Sequence, residues 1–387
     1  MRRTAALVTA ALTLTLATAC SSDGDPEPGD TVTASPQPAD PSSETPTTEG
    51  SKPPGDNAQQ DDKTPPKLVD TIATGLAAPW GVAFLPNGDA IITERDSRRV
   101  LLLEAPGYDV REIGTIDAAA PQGEAGLLGV AVSPDFAQDR TLYFYASTAN
   151  DNRIGKARLV GGRLGPFQVV LDGIPNGFIH DGGRLAFGPE GYLYASTGEI
   201  GQPELAQDRS TTAGKILRIT TDGEPAPGNP FDSPIWTYGH RNVQGLAFDD
   251  EDRLWASEFG DNVYDELNLI EKGGNYGWPM VEGRSDGAGD GDLTDPQVVW
   301  STDVASPSGL AFLDGHLWLA SLRGERLWRI EVDGDQASRP VDYFVGDYGR
   351  IRTVVATPDG DLWVTTSNRD GRGSPRQGDD RILLIDP

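Results

Sequence analysis

Cysteine is almost absent from this chain, and histidine and methionine are scarce. The 387 residues include one cysteine, two methionines and three histidines. A single cysteine, Cys20, excludes an intrachain disulfide and a cysteine-based metal site. The chain also lacks helical hydrophobic periodicity and any run of Lys or Arg, while its formal net charge at pH 7 is −27. This charge argues against binding to nucleic acid and against electrostatic binding to anionic lipid.

The N-terminal segment lacks an apolar run long enough to cross a bilayer, but it has the features of a secretory signal. Two arginines precede an apolar run from Ala5 to Ala17, and small residues lead to Cys20. The segment LATAC resembles a bacterial lipobox, in which the signal is cut before a cysteine that is then acylated. We therefore expect residues 1–19 to be a lipoprotein signal peptide, with an ordinary signal peptide as the alternative. Acylated Cys20 would anchor the protein to the outer face of the cell membrane.

Large apolar residues are nearly missing from residues 20–66, which are rich in Ser, Thr, Pro and acidic residues. Such a segment cannot bury enough apolar surface to offset its chain entropy. We expect it to be a disordered tether. Residues 67–387 are then long enough for one large domain.

This domain contains a sixfold repeat of a small residue, an alternating apolar strand, a turn with Gly or Asp, and a second apolar strand. Its aligned apolar positions recur at intervals from 44 residues (Leu310 to Val354) to 64 residues (Leu246 to Leu310). The six segments are WGVAFLPNGDAIITER, LLGVAVSPDFAQDRTLYFYAS, GRLAFGPEGYLYASTGE, QGLAFDDEDRLWASEFG, SGLAFLDGHLWLASLRG and TVVATPDGDLWVTTSN.

Hairpins at this interval, with further short strands between them, predict an all-β protein with the architecture of a six-bladed β-propeller. The last strand, RILLIDP, is predicted to share a blade with KLVDTIA, so that the two ends of the domain close the ring. In a propeller, the loops before the innermost strands collect around one mouth of the central channel. Residues at equivalent places in different repeats therefore converge in space.

Polar residues stand at this place in five of the repeats. Three arginines among them favour a small ligand with carboxylate or phosphate groups, because a guanidinium binds either with two parallel hydrogen bonds. Taken singly, each arginine also fits a salt bridge on the surface or between blades. The residues before the second to sixth repeats are Glu124, His180, Arg241 with Asn242, Ser306 to Ser308, and Arg350 with Arg352.

Two histidines raise the question of catalysis. His180 opens HDGGRLAF and His240 stands in GHRNVQGLAF, each in a loop before a strand. Either one fits a turn histidine bonded to the backbone, but the convergence of polar residues favours a functional role for His180. After the fourth repeat, Trp255 to Pro279 offers carboxylates, glycines and an asparagine, which are oxygen ligands suited to calcium. An acidic turn is the alternative for that segment.

The order of these motifs resembles the glucose/sorbosone dehydrogenase family. The motifs are GEAGLLGVAVSPDF, HDGGRLAFGPEG, GHRNVQGLAF, SEFGDNVYDELNLIEKGGNYGWP, SPSGLAF and GRIRTVVATPDG. The resemblance covers almost all of residues 67–387. It implies soluble quinoproteins and aldose sugar dehydrogenases that use pyrroloquinoline quinone (PQQ), a tricarboxylate, with a bridging calcium ion.

The resemblance also implies roles for individual residues. His180 would take the proton of the substrate hydroxyl while hydride passes to the quinone C5, and Asp181 would orient the imidazole. Gly260 and Asp261 would give backbone carbonyls to the cofactor's calcium, and Glu266 and Tyr276 would match a second, structural calcium site. The residues predicted to contact or hold PQQ are Glu124, Arg241, Asn242, Arg323, Arg350 and Arg352.

Three positions depart from the glucose-oxidising members of the family. Arg323 stands in place of a lysine, Glu124 in place of a glutamine near the quinone, and Phe259 in place of another glutamine. Long insertions that shape the glucose pocket are also not evident, which predicts a more open site that accepts more than one aldose. The sequence has no CxxCH haem motif, so electrons would leave through an external acceptor.

Two other functions fit parts of the pattern. A secreted propeller could bind a ligand or partner without catalysis, because fold alone does not determine function. A calcium-dependent lactone or ester hydrolase would share the metal and the histidine. A binder has no need for His180, Arg350 and Arg352 together, and a hydrolase has little use for the arginines.

Overall fold

The computed structural model describes residues 64–285 and 292–387. The predicted signal peptide, Cys20 and nearly all of the predicted tether lie outside the described residues and stay predictions. The described chain is built from β-strands, with a four-residue α-helix at Phe136–Asp139 and a 3-10 helix at Pro203–Ala206. Neither helix has the length or hydrophobicity that a membrane crossing requires.

Strand β1 (Lys67–Ala73) begins the domain, and three complete blades follow it. Blade 1 contains β2 (Pro79–Phe84), β3 (Ala90–Glu94), β4 (Arg99–Glu104) and β5 (Asp109–Thr115). Blade 2 contains β6 (Leu127–Val132), β7 (Thr141–Ser147), β8 (Asn152–Val160) with the short β9 (Arg163–Leu164) beside it, and β10 (Gln168–Ile174). Blade 3 contains β11 (Leu185–Phe187), β12 (Leu193–Ser196), β13 (Lys215–Ile219) and β14 (Ile235–Tyr238).

The remaining strands form three more antiparallel sheets, so the predicted six-bladed β-propeller is confirmed. Blade 4 contains β15 (Val243–Phe248), β16 (Leu254–Glu258), β17 (Tyr264–Ile270) and β18 (Val298–Ser301). Blade 5 contains β19 (Pro307–Leu313), β20 (His316–Ser321), β21 (Arg326–Asp333) and β22 (Gln336–Tyr343). Blade 6 contains β23 (Ile351–Ala356), β24 (Leu362–Thr366), β25 (Ile382–Asp386) and β1.

The two ends of the domain close the ring, as the sequence predicts. β1 pairs antiparallel with β25, from Lys67 opposite Asp386 to Ala73 opposite Ile382. The inner strands of blades 6 and 1 are joined by the Thr353 hydroxyl, which donates to the Trp80 carbonyl at 2.6 Å. The ring is therefore held closed at its periphery and at its centre.

The small residue of each repeat has a packing role. A Cβ atom at Gly129 in β6 would lie 2.3 Å from the carbonyl oxygen of Gly183 in the next blade. A Cβ atom at Gly309 in β19 would lie 2.7 Å from Cα of Thr353. Neighbouring inner strands thus approach too closely for a side chain, and the loops before them are brought together at one mouth.

Apolar residues of the strands fill the space between neighbouring blades. The largest fully buried side chains include Trp80, Trp255, Trp318 and Trp363, from four different blades. Burial of apolar surface contributes roughly 25 cal/mol per Å². The blades therefore form a rigid support for the loops at the mouth.

Candidate active site

A cavity of about 280 Å³ opens at the mouth of the propeller and contains most of the predicted site. Six arginines and four acidic residues line it. Eight predicted residues are among its lining: Glu124, His180, Arg241, Gly260, Asp261, Arg323, Arg350 and Arg352. The predicted residues Asp181, Asn242, Glu266 and Tyr276 do not line it.

His180 is held in the cavity wall by its backbone and by one ring nitrogen. Its φ of 60° is in the left-handed region, and its backbone N–H donates to Glu124 Oε2 at 3.0 Å. The ring nitrogen Nδ1 forms a short hydrogen bond with Glu199 Oε1. The described residues offer no partner to Nε2. His180 therefore presents an oriented nitrogen to the cavity.

The glycines after His180 are required by the same close packing. A Cβ atom at Gly182, whose φ is 65°, would lie 2.5 Å from Cα of Thr197. The same two segments stay close beyond Thr197, since the backbone N–H of Ile200 donates to the His180 carbonyl at 3.3 Å. The hairpin of β11 and β12 thus returns the chain to the mouth and places Glu199 beside His180.

The predicted role of Asp181 as the group that orients His180 stays a prediction, because its carboxylate forms no hydrogen bond with the imidazole among the described residues. Oδ1 accepts hydrogen bonds from Asn152 Nδ2 at 3.0 Å and from Gly177 N at 3.1 Å, while the buried Oδ2 has no partner in the described residues. Burial raises the pKa of Asp181 to about 6, although these two hydrogen bonds lower it. Asp181 anchors the loop that carries His180, and Glu199 orients the ring.

Asp370 organises three arginines at the cavity floor. Its Oδ2 lies 3.0 Å from Arg350 Nε and 3.4 Å from Arg352 Nη2, and its backbone carbonyl accepts from Arg95 Nη2 at 3.1 Å. Burial alone would raise the pKa of Asp370, but Arg352 and Arg350 outweigh it and the pKa is lowered. Burial lowers the pKa of Arg352 to about 10. Arg95 has a separate ion pair with Asp96, at 2.7 Å between Nε and Oδ1. Asp370 alone therefore balances Arg350 and Arg352, and a positive excess remains.

Two of the departures from the family pattern are accommodated locally. Glu124 forms an ion pair with Arg372 at 2.9 Å between Nη2 and Oε1, which compensates its charge. Arg323 is exposed at the cavity and forms no ion pair with the described residues. Phe259 is half-buried in the cavity wall, and its carbonyl lies 3.5 Å from Arg241 Nη1. Arg323 keeps the positive charge of the lysine that it replaces, and Glu124 is neutralised by Arg372, so these departures add no net positive charge to the cavity.

Arg241 and Asn242 leave unused donors beside the cavity. Arg241 Nη2 pairs with Asp261 Oδ1 at 2.9 Å, and its guanidinium carbon lies 5.4 Å from the centre of the Trp278 ring. Its buried Nε has no partner in the described residues. Asn242 accepts from Gly182 N at 3.1 Å through Oδ1, whereas Nδ2 is buried without an acceptor among the same residues. These donors suit a ligand rich in acceptors.

The predicted second calcium site is not assembled by the side chains of Glu266 and Tyr276. The Tyr276 hydroxyl donates to the Leu269 carbonyl at 2.7 Å and accepts from Glu271 N at 2.8 Å. Glu266 accepts from Gly283 N at 2.7 Å, and burial, followed by the charge of Glu258, raises its pKa to about 8. No three His, Cys, Asp or Glu side chains form a metal-binding group in residues 64–285 and 292–387.

Several residues of the cavity were not found from the sequence. They are Arg95, Gln244, Asp370 and Arg372, together with Glu199 behind the imidazole. Asp370 and Arg372 lie between β24 and β25, outside the repeat position that was searched. An acidic residue near the end of a repeat's second strand was the available signal for Glu199.

Known proteins share this architecture and sequence. The family model for glucose/sorbosone dehydrogenases matches residues 76–382. The PQQ-bound aldose sugar dehydrogenase of Streptomyces coelicolor is 51% identical, with a TM-score of 0.81 over 83% of this chain and 98% of that one. A putative oxidoreductase (glucose dehydrogenase) of Thermus thermophilus is 43% identical, with a TM-score of 0.76 over 82% of this chain and 98% of that one.

A curated relative agrees with these structures. An aldose sugar dehydrogenase of Escherichia coli K12 is 33% identical over 347 residues, which are 80% of this chain and 93% of the relative. The match of the family model covers blades 1 to 5 and the two inner strands of blade 6, β23 and β24. The resemblance found in the sequence is thus confirmed, and the chain belongs to the glucose/sorbosone dehydrogenase family.

Proposed function

We propose that this chain oxidises aldose sugars to lactones with PQQ and calcium, and that His180 is the catalytic base. The observation that carries the proposal is the cavity in which an oriented imidazole with a free Nε2 lies beside an excess of arginine. The family assignment and the PQQ-bound relative support the same chemistry.

The residues of the cavity fit a tricarboxylate with an attached cation. The guanidinium of Arg241, which lines the cavity, and the positive excess around Arg350 and Arg352 suit carboxylate groups. Gly260 and Asp261 line the cavity and are suited to offer carbonyl oxygens, which are preferred ligands of calcium. When bound, PQQ supplies a quinone that accepts hydride, and calcium polarises it.

The chain's own residues would prepare the sugar for oxidation. His180 Nε2 would accept the proton of the sugar hydroxyl, and Glu199 would stabilise the imidazolium that results. Glu124 would keep the histidine loop in place through the backbone N–H of His180. Arginine contacts would fix the orientation of the cofactor relative to this base, which is the requirement for a productive approach.

Addition of PQQ and calcium to the purified apo protein, followed by an aldose, tests the proposal. The quinone spectrum should change on sugar addition, and a dye acceptor should then be reduced. A protein that never binds PQQ would contradict the proposal and favour a binding module. Sugar-independent hydrolysis of a lactone by the calcium form would favour the hydrolase.

Arg352→Ala should raise the PQQ concentration needed for half-maximal activity by roughly 10- to 150-fold. A lost hydrogen bond to a charged group is worth about 1.5–3 kcal/mol. Arg339→Ala is the matched control, because Arg339 is exposed and pairs with Glu331 far from the cavity lining. If only the sugar dependence changed in Arg352→Ala, the arginine would belong to the sugar site instead.

We also propose that acylated Cys20 holds the protein at the outer face of the cell membrane. The support is the order of the signal, the cysteine and the polar segment in the sequence. Cys20→Ser should move the protein from the membrane fraction to the soluble fraction. An unchanged distribution, together with no lipid mass on the mature N-terminus, would contradict the anchor.

A further inference from the structure

The loop between β16 and β17 has an unusual distribution of hydrogen bonds. Four successive backbone amides donate to one oxygen, Glu282 Oε1. The N···O distances are 2.7 Å from Asp261, 3.0 Å from Asn262, 2.9 Å from Val263 and 3.0 Å from Tyr264. The preceding amide, Gly260 N, donates to Asp265 Oδ1 at 2.9 Å. Two carboxylates thus orient the five successive amides of residues 260–264.

This arrangement fixes the direction of the loop's carbonyls. In a trans peptide the C=O of one residue and the N–H of the next point in opposite directions. The amides of Asp261 and Asn262 point to Glu282, so the carbonyls of Gly260 and Asp261 point away from it. Gly260 and Asp261 line the cavity, whereas Glu282 does not. The carbonyls are thus directed to the side on which a cation would be bound.

The loop is wound tightly around the carboxylate. A Cβ atom at Gly260 would lie 1.7 Å from the Tyr264 carbonyl oxygen and 2.7 Å from Glu282 Oε1. Behind the loop, the amide of Gly283 donates to the buried Glu266 at 2.7 Å, which fixes the backbone next to Glu282. A loop residue other than glycine, or a shift of Glu282, would therefore change the direction of the carbonyls.

We infer that Glu282 is a positioning residue that holds the carbonyls of Gly260 and Asp261 toward the calcium of the cofactor. This inference rests on the proposed function. The carboxylate acts through the backbone and touches neither PQQ nor sugar. Its negative charge is suited to the task, because an ionised acceptor makes stronger hydrogen bonds with amides than a neutral one. Without it, the four amides would turn to water and the carbonyls would lose their common direction.

The test measures the calcium concentration at which the apo protein takes up PQQ, followed by PQQ absorbance. Glu282→Ala should raise the half-saturating calcium concentration by about 10- to 100-fold, the usual effect of removing a residue that orients metal ligands. Glu282→Gln, which keeps an oxygen in place without the charge, should give a smaller rise. At saturating calcium and PQQ, kcat should be near the parental value.

Glu251→Ala is the matched control, since Glu251 is an exposed acidic residue of the same blade paired with Arg253. A second readout is the melting temperature in EDTA without cofactor. If Glu282 had only a structural role, its replacement would lower this temperature. A parental calcium requirement in both Glu282 variants would overturn the inference, whatever their melting temperatures. If Glu282→Ala does not fold, the inference is tested by the calcium requirement of Glu282→Gln alone. A parental protein that takes up neither calcium nor PQQ would overturn the proposed function and this inference together.

Discussion

Two histidines of this propeller pair with glutamates in the same way, yet their surroundings differ. His180 Nδ1 bonds to Glu199, and His240 Nδ1 lies 2.8 Å from Glu258 Oε2. The second nitrogen of His240 bonds to the Thr237 hydroxyl at 2.9 Å, and its ring is fully buried. The second nitrogen of His180 faces the cavity. A carboxylate partner therefore does not distinguish the two histidines, whereas access to the second nitrogen does, and it favours His180 as the proposed base.

The buried pair of His240 and Glu258 stabilises the structure of blade 4. The His240 ring stacks on Tyr276 with 4.6 Å between ring centres, and Glu258 also accepts the backbone amide of Arg241. These contacts fix the backbone from which Arg241 reaches the cavity. The His180 ring of the other pair has no comparable stacking partner among the described residues. One pair thus supports the site, and the other contains the histidine that we propose as its base.

The largest expected effect separates the two histidines by activity. His180→Ala should suppress quinone reduction by about 10²-fold or more, the scale of a lost general base, while PQQ affinity stays near the parental value. His240→Ala should instead lower stability, because Glu258 Oε2 and the Thr237 hydroxyl would be buried without a partner, at about 1–3 kcal/mol each. Single-turnover kinetics, PQQ titration and thermal unfolding measure these effects. Parental quinone reduction by His180→Ala would refute its role as the base.

A smaller effect is expected when the two glutamates are exchanged for glutamine. Glu199→Gln should lower kcat by roughly 10-fold, a part of the 10²–10⁴-fold that general base catalysis contributes, because the imidazolium loses its counter-charge. Glu258→Gln should lower the melting temperature before it affects kcat. Steady-state kinetics at saturating cofactor, compared with calorimetry, distinguishes the two. If Glu199→Gln and Glu258→Gln lost the same share of kcat and had the same melting temperature, the two pairs would not have the separate roles given to them here.

The smallest effect concerns Asp181, which follows His180 in sequence but forms no hydrogen bond with its ring among the described residues. Burial is the main cause that raises its pKa from 3.8 to about 6. The fold thus favours the neutral carboxyl, so this contribution to stability is fully present below pH 4 and is lost as the pH rises through about 6. Asp181→Asn keeps the oxygen that accepts from Gly177 and removes the buried charge. It should raise the melting temperature at pH 7 by roughly a few °C and leave it unchanged at pH 4.

The activity of the same variant checks the corrected assignment. Because the imidazole bonds to Glu199 and not to the Asp181 carboxylate, kcat of Asp181→Asn should stay near the parental value. A fall as large as that expected for Glu199→Gln would restore the role that the sequence predicted for Asp181. The measurement is kcat at saturating PQQ, calcium and sugar.

The repeats were sufficient to predict the propeller and the convergence of the loops. Each loop precedes an inner strand, and this place in the repeat correctly predicted that one cavity contains Glu124, His180, Arg241 and Arg350. The partner of His180 was missed because adjacency along a loop says little about side-chain direction. Glu199 is 19 residues away and reaches the ring only because the β11–β12 hairpin returns the chain to it. Asp370 was missed for a similar reason, since its loop lies between β24 and β25, the two middle strands of blade 6.

The charged floor of the cavity spans the seam at which the ring closes. Arg95 in blade 1 donates to the carbonyl of Asp370 in blade 6, a contact between residues 275 positions apart in the chain. Arg184 of blade 3 also reaches Thr353 of blade 6, at 3.2 Å between Nη2 and Oγ1. Such contacts form late in folding, because the entropy of closing a very long loop must be overcome first. A ligand that binds this floor stabilises only the closed ring, so its binding reports that the whole chain has folded.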